Sequence, residues 1–253
     1  MATPWRRDTY VPGGGAGQIA LVALSRVKLP DPLPVSRARH GMPDDGDGPT
    51  SVALVARDRA EDPRWFADHV VGPFTALIAS DLDADAAATA LAADHAYVIE
   101  AQLDDPDDLG HLQAAWALAK CVCEEGASIV IDVYAARAHL GTDVAALVPD
   151  RAFDLMREVT LFFDEQPDGT LAAWSLGLRK FGRPDLVLLD VSPDAATEAA
   201  LLLRDIAATL AAGERIEPGD EVTAPGREPR VAELFAPAMS AVVAVDGAAI
   251  VLR

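Results

Sequence analysis

The 253 residues, 51% of them apolar, are enough to bury a sizeable core, which sets aside disorder as the reading of the whole chain. Asp and Glu number 40 against 21 Lys and Arg, and the formal charge of −19 is spread along the sequence. Such a field repels phosphate backbones and anionic membrane surfaces and favours cationic partners, so neither nucleic-acid binding nor membrane binding is expected.

In chain order, residues 1–17 are polar and then glycine-rich, without the apolar stretch of a secretory signal, and predict a loose arm entering a first strand over 19–24. The Pro, Gly and Asp of residues 29–50 predict a long loop. Strands are expected over 51–58 and 74–81, with a short helix or turn between them. An Asp-capped, Ala-rich helix follows in LDADAAATALAADH, then a strand over 96–102. The clearest helix has Asp105 as N-cap and Pro106 at its first position; its stripe is Leu109, Leu112, Trp116, Ala119 and Cys123, and Gly126 stops it. A buried strand over 128–134 leads into a helical stretch over 135–147.

In the second half, 158–165 and 170–178 read as a hairpin about QPDG, followed by a strand over 186–191. Ser192 and Pro193 open a helix with the stripe Ala199, Leu202, Leu203, Ile206 and Leu210, and a second hairpin is expected about Asp246 and Gly247. Together these elements predict an α+β fold, a mixed, largely antiparallel sheet with Ala-rich helices packed on it. Residues 1–50 supply the arm, first strand and loop, and 51–253 form a single domain or two related halves over 51–150 and 151–253 with a join near 148–157.

Most residues that invite a chemical reading lack the required spacing. The glycines of 13–17 precede a strand and carry no Lys, unlike a phosphate-binding loop, and read as a flexible tether. His40, His69, His95, His111 and His139 include no i, i+4 pair, and His111 is expected to be partly exposed on its helix. Asp81, Asp83 and Asp85 lack the Gly and the Glu of a calcium loop, Ser175 lacks the first glycine of a nucleophile elbow, and neither a metal site nor a cofactor is predicted. Cys121 and Cys123 point roughly 200° apart on a helix, so they cannot pair with each other. They fit core thiols of a reducing, cytoplasmic compartment.

One segment stands out, Trp174 to Leu186, where Arg179, Lys180 and Arg183 fall within five positions of an acidic chain. It reads first as a connection between strands, with Phe181 in the core and the cations solvated. It reads second as a basic lip that receives a carboxylate, a phosphate or an acidic side chain, with Trp174, Arg179, Lys180 and Arg183 as its binding residues. The motif S-L-G-L-R-K-F-G-R-P-D-L, from Ser175 to Leu186, resembles the bacterial family known as domain of unknown function 4261. That resemblance implies architectural roles for Gly177, Phe181, Gly182, Pro184 and Asp185, and a binding or regulatory module. The expectation is a non-catalytic cytoplasmic protein, immunity-like or regulatory, that contacts a basic protein or itself through an edge strand such as the C-terminal hairpin. The alternative is a small-ligand or enzymatic module using the turn at 179–183.

Overall fold

The computed structural model describes residues 3–43, 52–149 and 154–253. Outside them lie the first two residues of the arm, residues 44–50 of the loop, Ser51 and residues 150–153 of the join. The fold is α+β, and the chain divides into two compact units. The first is Met1–Arg6, Gln18–Leu103 and Asp108–Phe153; the second is Arg7–Gly17, Asp104–Asp107 and Asp154–Arg253.

The first unit holds a sheet of β1 (Ala16–Ser25), β2 (Val52–Asp58), β3 (His95–Asp104), β4 (Ile129–Asp132) and β5 (Arg137–Leu140), in the order β2-β3-β1-β4-β5. The first strand of the sequence is therefore its central strand. Val22, Leu24, Val98, Ile129 and Ile131 turn one face towards Phe66, Val70, Ile78 and Ala90. The intervening β1 residues Leu21 and Ala23 are fully buried too, so both faces are covered and the strand reads as an apolar run.

Four expectations fail in this unit. Residues 74–81 form a helix, Phe74–Asp81, and not a strand, because Phe74, Leu77 and Ile78 recur at helical spacing and pack on the cluster beneath them. The long helix is Gly110–Glu124 and begins after Leu109; Asp105 does not cap it, having a positive φ of 36° and a side chain engaged elsewhere. The stretch 135–147 is not one helix but β5, hairpinned to β4, followed by the short helix Gly141–Ala145. His111 is buried, since the helix that carries it is enclosed on more than one side.

The second unit holds β6 (Thr160–Glu165), β7 (Leu171–Leu176), β8 (Asp185–Val191), β9 (Glu221–Val222), β10 (Arg230–Leu234) and β11 (Ala249–Leu252), in the order β6-β7-β8-β11-β10-β9. β8 and β11 pair in parallel and the other pairs are antiparallel. Ala172, Trp174, Val187 and Val251 share one face with Phe235, Val242, Val243 and Val245. Ala173, Leu186 and Leu188 alternate with them, and the helix Ala196–Ala211 packs on β7 and β8 with Leu202, Leu203, Ile206 and Leu210 buried.

The expected C-terminal hairpin does not form. Val242, Val243 and Val245 pack into the cluster instead of pairing as a strand, and β11 lies inside the sheet between β8 and β10. It therefore offers no edge for self-association. Among the described residues no helix is long and apolar enough to cross a membrane.

Candidate functional site at the 177–185 turn

The segment singled out in the sequence lies wholly in the second unit. β7 ends at Gly177, a 3-10 turn covers Leu178–Phe181, and Gly182 returns the chain to β8. Leu178 and Phe181 are fully buried beneath the turn. Gly182 has a φ of 64° and its carbonyl accepts the Gly15 amide at 2.9 Å; a side chain here would overlap the Gly15 carbonyl oxygen.

The cations of this turn do not form a solvated lip. Lys180 is 0% exposed, and its Nζ donates to Glu158 Oε2 at 2.8 Å, where the carboxylate is itself fully buried and takes a second bond from Arg157 Nε at 2.9 Å. Arg183 is nearly as enclosed. Its Nε donates to the Glu214 carbonyl at 2.7 Å, Nη1 to Asp105 Oδ1 at 2.9 Å, and Nη2 to the Gly213 and Val11 carbonyls at 2.8 and 3.1 Å. Only Arg179 faces outward, with Nη1 3.4 Å from the exposed Asp246 carboxylate. Trp174 is buried in the core, stacked on Phe162 with ring centroids 5.6 Å apart, so the four proposed binding residues share no surface. A planar guanidinium can be buried among turn carbonyls because its five donors find acceptors there.

Nor are the glycines of 13–17 a loose tether. The Gly13 amide donates to Asp105 Oδ2 at 2.6 Å, the Tyr10 hydroxyl donates to the same oxygen at 2.9 Å, and Arg183 fills the space a Gly14 side chain would need. Arg7 completes the strap, its Nη1 donating to the Pro106 and Phe181 carbonyls and its Nη2 to that of Leu210. The residues 7–17 are bound by charge and close approach, signals that local composition does not carry.

Burial works against the Asp105 carboxylate, but hydrogen bonds from Arg183, Tyr10 and the Gly13 and Gly14 amides outweigh it and hold its pKa at about 2. Arg7 is lowered to about 10 by burial and by the neighbouring Arg183. Asp185 goes the other way: burial pushes it up to about 7, against the pull of the Leu178 amide, the Ser175 hydroxyl, Lys180 and Arg179. Its Oδ1 accepts from Ser175 Oγ at 3.1 Å and from the Leu178 amide at 3.2 Å, and Ser175 Oγ in turn accepts the Leu186 amide at 2.9 Å. Ser175, weighed as a nucleophile, is thus a fully buried bridge between β7 and β8. Beside this carboxyl lies a cavity of about 250 Å³, with Arg179, Asp185, Asp246 and Gly247 in its wall.

Asp105, Glu158 and Arg7 were not legible as partners of the turn. The available signal was Lys180 standing between Leu178 and Phe181, a charge in an apolar context that calls for a buried counter-ion. In the first unit, Cys121 and Cys123 are free and buried, and burial raises their thiols to about 11 and about 12. Among the described residues no three His, Cys, Asp or Glu side chains are grouped so as to hold a metal ion. Neither a family model, nor a curated protein, nor a solved structure matches the chain.

Proposed function

We propose that the chain is a non-catalytic binding or regulatory protein of the bacterial cytoplasm, acting on a basic protein partner through the open edge of β6. The observation that carries this reading is that edge. β6 ends its sheet, and among the described residues no backbone hydrogen bond reaches it from any element but β7. Phe163 is 37% exposed on it, and the acids Asp164, Glu165 and Asp168 cluster exposed at the hairpin end. An unpaired strand is a template for an added strand, and its acidic end favours an extended segment rich in Lys or Arg. The charge of −19 on each copy disfavours pairing with a second copy. The reducing compartment is supported by the two free, buried thiols.

The test compares the chain with a Phe163→Lys variant, which places a cation on the edge strand, in capture from native lysate, with this and the Leu234→Lys variant checked for an unchanged fold by circular dichroism. A basic partner held by the unaltered chain and by Leu234→Lys, but lost with Phe163→Lys, is the expected result. Equal capture by all three overturns the reading.

A second reading, small-ligand binding beside the turn, is favoured by the cavity of about 250 Å³ that Arg179 and Asp185 share. A cation at the rim and a buried carboxyl in the wall suit a molecule carrying both an acid and a donor group. Loss of saturable ligand binding in Arg179→Gln, with the fold intact, would support it over strand addition.

A further inference from the structure

The largest cavity described in the second unit lies away from the turn, and it is built from features the sequence did not single out. It measures about 610 Å³, with Asp190, Ser192 and Glu198 on one side and Arg227, Arg230 and Arg253 on the other. Three of the 21 cationic residues of a chain with 40 acids thus meet at one hollow.

Its position follows from topology. β8 and β11 run parallel, so both C-terminal ends arrive at the same end of the sheet, and the helix Ala196–Ala211 starts from there. The cavity thus lies where the parallel strand β8 ends and the helix begins. The strand is also reshaped at this point. Between Leu171↔Val191 and Ala173↔Leu188 the register gains a residue on β8, and Asp190 has a φ of 57°, left-handed for a residue with a side chain.

The arginines are only lightly engaged. Arg227 Nη1 lies 3.2 Å from Glu198 Oε1, on a side chain that is 74% exposed, while its buried Nε has no acceptor among the described residues. Arg253 is shared between Glu233 at 3.3 Å and Asp190 at 3.9 Å, all well exposed. Arg230 makes no ion pair among the described residues. Exposed pairs of this kind contribute little, so an incoming anion exchanges them at small cost. A phosphoryl or carboxylate group matches the guanidinium fork that these arginines present.

We propose that this cavity binds a small molecule through an oxyanion group, phosphoryl or carboxylate, held by Arg227, Arg230 and Arg253. Asp190, Glu198 and Glu228 in its wall balance the charge of the three arginines, and Asp190 and Glu198 are displaced from Arg253 and Arg227 on binding. The inference is independent of the β6 edge, and Phe163→Lys leaves it untouched.

The experiment is titration of the full chain with inorganic phosphate and, separately, acetate, at ionic strength matched with sodium chloride and followed by amide chemical shifts. The expected result is saturable binding of at least one of them, with shifts in 190–198 and 226–230. Tighter binding of phosphate identifies a phosphorylated ligand, and tighter binding of acetate a carboxylate. Arg230→Gln and Arg227→Gln each weaken binding about tenfold, as loss of one charged hydrogen-bond partner does; Arg204→Gln, outside the cavity wall, does not. Arg230→Gln removes no ion pair, so it separates loss of binding from loss of fold. Absence of saturation by either anion, or equal binding in the Arg230 and Arg227 variants, overturns the proposal.

Discussion

Arg183 and Asp105 stand 78 residues apart in the chain, yet the guanidinium donates to the carboxylate at 2.9 Å, with all but 1% of the arginine side chain enclosed. The remaining donors of Arg183 go to carbonyls of Val11, Gly182, Gly213 and Glu214. One side chain therefore ties four stretches of the second unit. Arg183→Lys keeps the charge but not the planar fork, and lysine has three donors on one nitrogen. We expect a loss of about 2–4 kcal/mol in urea unfolding, from carbonyls left without donors. A loss below about 0.5 kcal/mol would mean that water replaces the guanidinium.

Asp105 gives that tie a pH dependence. Its folded pKa of about 2 lies below 3.8, so the folded state binds fewer protons between these values, and stability is present above pH 4 and lost as pH falls towards 2. The contribution is about 2 kcal/mol by the size of the shift. Acid unfolding of Asp105→Asn should begin from a lower stability at pH 6 and fall less steeply between pH 4 and 2. Parallel curves for the two proteins would rule out this assignment.

Asp185 has the opposite sign. With a folded pKa of about 7 against 3.8, the folded state binds more protons in between, so its effect is a stability that declines as pH rises from 4 to 7. Asp185→Asn keeps the Oδ1 acceptor for Ser175 and Leu178 without the buried charge. Its unfolding free energy at pH 8 should equal or exceed that of the unaltered chain, by up to an order of 4 kcal/mol. Marked destabilisation at pH 8 would show that the ionised form is needed.

Lys180 and Glu158 form a fully buried pair. Lys180→Met leaves the carboxylate without that cation and should cost about 3–5 kcal/mol, whereas Lys180→Met with Glu158→Leu should recover most of the loss, as buried pairs replaced together often do. A double-mutant cycle measured by denaturation reads the coupling directly; simple additivity would contradict it.

Much of the scaffold was legible in the sequence because it rests on local periodicity. The stripe from Ala199 to Leu210 carries period 3.6, and β6 and β7 are two β-prone runs joined by a turn-rich segment. Residues 74–81 did not, since a short apolar run fits a strand or a buried helix, and only the sheet beneath Ile78 decides between them. The turn's position and its shaping glycines were visible, but its electrostatics were not. Arg183 finds Asp105, and Lys180 finds Glu158, through folding across distant segments, and no spacing rule encodes such a meeting. The arginines of the larger cavity escaped for the same reason, being brought together by the parallel pairing of β8 and β11.

That parallel pairing also sets a schedule. β11 lies between β8 and β10, so the second sheet cannot close when β8 leaves the ribosome; it waits for Ala249–Leu252, about 60 residues later. At synthesis rates of about 5–20 residues per second this is roughly 3–12 s during which the flank of β8 stands unpaired. A nascent chain halted before β11 should therefore be a better client for chaperones than the finished protein. Every strand of the first sheet lies within residues 16–140, so none of them waits for β11.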